Sequence, residues 1–158
     1  MRVPPSYLPA SLFIAIFSAQ VFADKWGVQT KISPIDDSKT VSITLDADST
    51  VTGWPRKTVR PYLVLRCKEN KTEMYVNTGL RSNVESGNLS QSTDGEALFF
   101  PRPISYIKKL LRHDKLLFKF TPFSSDPAIT TFNLRGLNKH IRPLQESCGW
   151  AGRLPKAK

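Results

Sequence analysis

The stretch KTVSITLDA, from Lys39 to Ala47, alternates apolar and polar residues more regularly than any other part of the chain. Val41, Ile43 and Leu45 lie at every second position, with Ser and Thr between them. Successive side chains of a β-strand point to opposite faces of its sheet. The stretch therefore predicts a strand with one face in a core and one polar face.

Three further stretches extend this strand into a sheet. Pro61 to Cys67, PYLVLRC, is apolar at positions of both faces and predicts a buried central strand. Glu69 to Lys71 predicts a turn that leads back into a strand over Thr72 to Val76, a hairpin with a loop of three to five residues. Trp26 to Ile32 alternates loosely and predicts the first strand.

The rest of the chain supplies fewer and shorter patterns. Further strands are predicted over Ala97 to Phe100, Asp114 to Thr121 and Ile129 to Leu134. Helices are predicted over Pro101 to Arg112 and over Gly136 to Ser147, the second broken near Arg142 by Pro143. Loops are predicted over Asp48 to Lys57 and Asn77 to Gly95. Five to seven short strands with two short helices predict a mainly β, α+β domain, with a mostly antiparallel sheet or a small sandwich.

The N-terminal segment, Met1 to Ala23, has the features of a signal peptide. An apolar stretch of about ten residues runs from Leu8 to Phe17, which suits a signal peptide and is too short for a membrane span. We expect cleavage after Ala23, with an uncleaved anchor as the alternative. The domain prediction is a signal peptide (1–23), one domain (24–150) and a mobile basic tail (151–158). We expect a periplasmic or secreted protein with no membrane span after cleavage.

Cys67 and Cys148 are the only cysteines in the chain. In an exported protein the default for two cysteines is a single disulfide. The alternative is one catalytic thiol working with a histidine, although a free thiol tends to oxidise in such a compartment.

The positive charge is concentrated in the C-terminal part of the chain. The formal net charge is +10, and residues 101–158 hold twelve basic and three acidic side chains. Such an excess suits nucleic acid, an anionic surface or an acidic partner, and export argues against nucleic acid. Lys108, Lys109 and Arg112 lie off the apolar stripe of the first predicted helix, so they are the candidate face for an anionic partner. The alternative is a solvated face that only keeps the protein soluble.

Motifs of the common enzyme classes are absent from the sequence. There is no GxGxxG, GxxxxGK[ST], GxSxG or HExxH pattern. Glu85, Asp94 and Glu96 could supply an acid pair for glycoside cleavage, but nothing in the sequence fixes their separation. We therefore expect a non-enzymatic protein, with no catalytic, cofactor-binding or metal-binding residues and no cofactor.

Five stretches, taken together and in order, resemble the VasI/TagO family of type VI secretion-associated proteins. They are Trp26 to Val28, Ser33 to Val41, Pro61 to Glu73, Ser92 to Phe99, and Thr131 to Leu137 running on to Cys148-Gly149-Trp150. The resemblance covers almost all of the chain from Asp24 to Trp150. It implies an exported accessory protein of the cell envelope with no known catalytic residues, and an envelope or secretion-apparatus protein as its partner.

The chain departs from the family pattern at Asn77 to Gln91. This segment is short and has no Trp, where the family has a longer stretch with an Arg-containing strand and a Trp. We therefore expect a strand to be missing there or replaced by a loop. The alternative function is an exported basic binding module for an anionic envelope polymer or an acidic protein.

Overall fold

The structure, a computed structural model, describes residues 25–83 and 89–151. The predicted signal peptide (1–23) lies outside the described residues, as does the predicted basic tail from residue 152 onward.

The described residues form eleven strands and three helices. The strands are β1 (Trp26–Ile32), β2 (Lys39–Asp46), β3 (Val51–Gly53), β4 (Lys57–Val59), β5 (Tyr62–Lys68), β6 (Lys71–Asn77), β7 (Ser82–Asn83), β8 (Ser90–Gln91), β9 (Ala97–Phe99), β10 (Lys115–Pro122) and β11 (Ala128–Asn133). The helices are α1 (Pro103–Leu110), α2 (Leu137–His140) and α3 (Arg142–Ser147).

The strands form one large antiparallel sheet and two small ones. The large sheet has six strands in the order β1-β2-β5-β6-β9-β8. A three-stranded sheet has the order β11-β10-β7, and β3 pairs with β4. The prediction of a mainly β, α+β fold built on antiparallel sheet is confirmed.

The register of the central strands separates the six-stranded sheet into two faces. Val41 lies opposite Cys67, and Ile43 lies opposite Leu65, and all four are at most 1% exposed. We call this side the inner face. The helices and the three-stranded sheet pack into the same core, with Phe132, Ile107 and Leu144 fully buried. The intervening positions of β1, β2, β5 and β6 form the outer face.

The loop predicted over Asp48 to Lys57 is wrong, because β3 lies within it and β4 begins at its end. The hydroxyls of Thr52 and Thr58 hydrogen-bond across this hairpin at 2.8 Å. Gly53 and Pro55 indicated a turn, and the turn that they form joins the two strands of this hairpin. A Cβ at Gly53 would lie 2.9 Å from a methyl carbon of Leu80, so the hairpin packs closely against its neighbour.

The loop predicted over Asn77 to Gly95 is also wrong in its described parts, which contain β7 and β8. The buried Thr78 orders the start of this segment, since its hydroxyl donates to the carbonyls of Leu80 at 2.6 Å and Glu96 at 2.9 Å. At the other end, the Gln91 side-chain amide donates to the Ser82 carbonyl. The bonds to Glu96 and to Ser82 join residues that are 18 and 9 positions apart, so no periodic pattern reveals them. The expectation that a strand of the family pattern is missing or replaced by a loop at 77–91 stays a prediction.

The remaining differences concern element ends. The β5–β6 turn consists of Glu69 and Asn70 alone, both with positive φ, which suits a two-residue hairpin turn. Helix α1 is shorter than the predicted 101–112. The break predicted near Arg142 is confirmed, since α2 ends at His140 and α3 begins at Arg142.

Candidate functional site

A disulfide joins Cys67 to Cys148, as predicted. Their Cα atoms are 5.8 Å apart, and the bond closes a loop of 81 residues. It ties the inner face of β5 to the end of α3. Neither cysteine is free, so the alternative of a catalytic thiol is wrong.

Two indole groups fix the same C-terminal region to the sheet. Trp150 is 2% exposed and donates from Nε1 to the Thr72 hydroxyl at 3.1 Å. Trp26 donates from Nε1 to the Arg135 carbonyl at 3.0 Å. A buried indole N–H needs such an acceptor, because leaving it unpaired costs free energy. These two bonds therefore anchor the chain at Arg135 and at Trp150 to the sheet.

The three candidate cations lie at the C-terminal end of α1. Lys108 and Lys109 occupy its last turn, and Arg112 lies two residues beyond it. Lys109 and Arg112 are exposed and Lys108 is half-buried. Ile107 and Leu110 of the same helix are in the core. We call Lys108, Lys109 and Arg112 the basic helix face.

The basic helix face carries charge that the described part of the chain does not neutralise. No ion pair joins any of the three cations to an acidic side chain among the described residues. Lys109 contacts the ring of Tyr106, with Nζ 5.5 Å from the centroid. Cations at a helix C-terminus also interact favourably with the helix dipole, by about 0.3–1 kcal/mol each. The helix dipole therefore accounts for the presence of Lys108 and Lys109 without an acidic partner. It does not account for Arg112, which lies beyond the last turn.

The outer face carries a second cationic cluster, which the sequence analysis missed. An open cleft of about 520 Å³ lies over β1, β2 and β5 beside the turn at 33–38. We call it the outer cleft, and it is lined by Gln29, Lys31, Ile32, Ser33, Pro34, Ser38, Thr40, Ser42, Arg66 and Lys68. The alternation in β2 placed Thr40 and Ser42 on a polar face. Extending the same alternation to β1 and β5 would have placed Lys31, Arg66 and Lys68 beside them.

Among the acidic residues considered for catalysis, Asp94 has a structural role in its turn. Asp94 Oδ1 accepts a hydrogen bond from the Ser92 hydroxyl at 2.5 Å and another from the Glu96 N–H at 3.0 Å. These bonds, the Ser92 hydroxyl first, hold the pKa of Asp94 below its usual value. Glu85 lies outside the described residues. Across residues 25–83 and 89–151, no group of three or more His, Cys, Asp or Glu side chains could hold a metal ion.

Comparison with known proteins adds no family to these observations. Neither the family models, nor the curated proteins, nor the solved structures contain a match to this chain. In the part of the chain that the structure describes, no helix combines the length and apolar character that a bilayer crossing requires.

Proposed function

We propose that this protein is an exported, non-enzymatic accessory protein of the cell envelope, associated with a type VI secretion system or a related envelope system. It works by binding an anionic partner through the basic helix face. The single observation that carries the binding role is the set of three cations on α1 and just beyond it, unpaired among the described residues, on a segment whose apolar side is fixed in the core. The secretion role is supported by the ordered resemblance to the VasI/TagO family.

The geometry favours binding over a solubilising role for these charges. Packing of Ile107 and Leu110 holds α1 in place, and neutral polar residues on its other side would leave that packing intact. This packing fixes the backbone positions of the three charges, so only their side chains lose conformational freedom when an anion binds. A phosphate- or carboxylate-bearing envelope polymer or an acidic protein surface fits this arrangement.

The binding role is tested with a charge-reversal variant, Lys108→Glu, Lys109→Glu and Arg112→Glu. Its binding to isolated envelope material should fall by about tenfold or more, with its unfolding free energy nearly unchanged. Wild-type binding should weaken steeply with salt, because exposed charges are screened over roughly 8–10 Å at 0.1–0.15 M.

The matched control changes the charge by the same amount elsewhere in the basic region. Lys115, Lys119 and Lys139 are all exposed, and the control replaces each with Glu. Retained binding in the control and lost binding in the helix variant supports the proposal. Equal losses in both variants would show that only net charge matters, and retained binding in the helix variant would identify a solvated face.

Gene neighbourhood and a deletion strain distinguish the secretion role from the alternative, which is a basic binding module unconnected to secretion. Genes for a secretion sheath and baseplate beside this gene favour the first, and deletion of this gene should then lower release of the proteins that the system secretes. Unchanged release in the deletion strain, with envelope binding intact in the purified protein, would favour the alternative.

A further inference from the structure

The outer cleft lies on the opposite side of the six-stranded sheet from the basic helix face. Val64 is 3% exposed, and it is absent from the core cluster that contains its strand neighbours Leu63 and Leu65. Its side chain therefore belongs to the outer face, while α1 packs on the inner face. The two cationic clusters are separate, and an inference about one does not depend on the other.

The strand register brings the cations of the outer cleft together. Lys31 pairs with Thr40, which pairs with Lys68, so the two lysines are separated by one strand. Neighbouring strands lie about 4.8 Å apart, which puts the lysine backbones about 10 Å from each other. Arg66 lies two residues from Lys68 on the same face. Three cations thus surround one cleft, and no acidic residue lines it.

The orientation of Arg66 is fixed by its neighbours. Its Nε donates to Glu73 Oε2 at 2.8 Å, and its guanidinium carbon lies 5.3 Å from the centre of the Tyr75 ring. Nη2 also donates to Glu73, so both N–H groups of Nη1 and the second N–H of Nη2 are left for an added ligand. Lys31 makes no ion pair with any described residue, and Lys68 is joined only to the exposed Glu69 at 3.6 Å.

The other polar groups of the cleft are hydroxyls and one amide. Ser38, Thr40, Ser42 and Gln29 each can donate and accept hydrogen bonds. A sugar presents hydroxyls that need both donors and acceptors, whereas a carboxylate or phosphate needs only donors. The volume of about 520 Å³ falls within the range of small-ligand sites, roughly 300–1,000 Å³.

We propose that the outer cleft binds an acidic saccharide, a sugar chain that carries carboxylate or phosphate groups. Lys31, Lys68 and Arg66 bind the anionic groups, and the hydroxyl and amide side chains between them bind the sugar hydroxyls. The cleft lining contains no aromatic ring on which a nucleic-acid base could stack. It has only Ile32 and Pro34 as larger apolar groups, which is little apolar surface for a lipid bilayer.

The test measures binding of defined probes to the disulfide-bonded full chain by calorimetry. The probes are a polygalacturonate oligosaccharide, its neutral methyl ester, a phosphorylated mannan oligosaccharide, a polyglutamate peptide matched in charge, and vesicles of phosphatidylglycerol. At least one acidic saccharide should bind, its neutral counterpart should not, and the peptide should bind about tenfold more weakly. Comparison of the carboxylated and phosphorylated saccharides identifies the anionic group.

Three double variants locate the binding site. Lys31→Gln with Lys68→Gln should lower the affinity for the saccharide about tenfold. Lys115→Gln with Lys119→Gln removes the same charge from exposed positions of β10 and should change the affinity for the saccharide less than about threefold. Thr40→Val with Ser42→Ala should weaken saccharide binding but not peptide binding. Loss of binding in the helix variant of the previous section would place the site on the basic helix face instead.

Besides loss of binding in the helix variant, three results with the probes would overturn the proposal. They are no binding of either acidic saccharide, equal binding of saccharide and polyglutamate, or tighter binding to the vesicles than to any saccharide. The second would mean recognition of charge alone, and the third would identify a lipid surface as the ligand.

Discussion

The two faces of the six-stranded sheet are built from the same strands, but one is buried in the core and the other carries an open cleft. On the inner face, residues such as Ile43 and Leu65 are fully buried beneath helices, and Cys67 is bonded to Cys148. On the outer face, Ser42 and Arg66 occupy the neighbouring positions and line an open cleft. A one-residue step along a strand therefore separates a position that stabilises the fold from one that can bind a ligand.

The largest expected effect is on the inner face, from removal of the disulfide. Cys67→Ala with Cys148→Ala should lower the unfolding free energy by about 4.5 kcal/mol, because the bond closes a loop of 81 residues and restricts the unfolded chain. Denaturant unfolding of both proteins measures the difference. Reducing agent should destabilise the wild-type protein and leave the variant unchanged. A loss below about 1 kcal/mol would mean that the packing of α3 holds this end of the domain without the bond.

The next effect compares adjacent residues of β5. Leu65→Ala should cost about 3 kcal/mol, since it removes core volume and leaves a cavity. Val64→Ala, on the outer face, should cost about 1.5 kcal/mol, the transfer free energy of two methylene-sized groups without a comparable cavity. Both residues are at most 3% exposed, so exposure alone predicts losses that differ only by the one extra carbon of Leu, about 0.8 kcal/mol. Equal losses in thermal or denaturant unfolding would contradict the assignment of the core to one face.

A smaller effect concerns the ion pair on the outer face. Arg66 and Glu73 lie opposite each other in β5 and β6, with side chains 29% and 22% exposed. Partial exposure screens the pair, so a double-mutant cycle with Arg66→Met and Glu73→Gln should give a coupling of about 0.5–1 kcal/mol. The same cycle at Arg142 and Glu146, an exposed pair on α3, should give less. A larger coupling at the exposed pair would mean that the sheet contributes nothing to the alignment of Arg66.

The sequence was sufficient where a local pattern determines the structure. Alternation in Lys39 to Ala47, the apolar run at Pro61 to Cys67 and the break before Pro143 predicted strands and a helix boundary that the structure confirms. The disulfide followed from the cysteine count together with the expected export of the chain. The strands and the helix boundary depend on neighbours along the chain, and two cysteines can form only one intramolecular pair.

The sequence was insufficient where distant residues determine the structure. The strands β7 and β8 are held through Thr78, Gln91 and Glu96, which are bonded across many residues. The outer cleft has the same origin, since Lys31 and Lys68 come together only through the register of three strands. The net charge of residues 24–100 is zero, because ten basic and ten acidic side chains cancel. The cationic cluster of the outer cleft therefore does not show in the net charge of this part of the chain, whereas the excess over 101–158 does.

The smallest expected effect distinguishes the turn beside the outer cleft from a similar turn elsewhere. The pKa of Asp36 is lowered, first by the Ser33 hydroxyl and then by hydrogen bonds from Ser38. That of Asp94 is lowered first by the Ser92 hydroxyl. For each carboxyl the folded pKa is below the unfolded one. The stabilisation is therefore present above the unfolded value, near 3.8, and is lost as the pH falls through the folded pKa.

Nuclear magnetic resonance titration of the two carboxyls checks this expectation. Ser33→Ala should raise the pKa of Asp36 and leave that of Asp94 unchanged, and Ser92→Ala should do the reverse. Because Ser33 also lines the outer cleft, the first variant should alter saccharide binding slightly and the second should not. If Ser33→Ala left the pKa of Asp36 in place, the turn would be ordered by its backbone alone, and the wall of the cleft would not depend on this carboxyl.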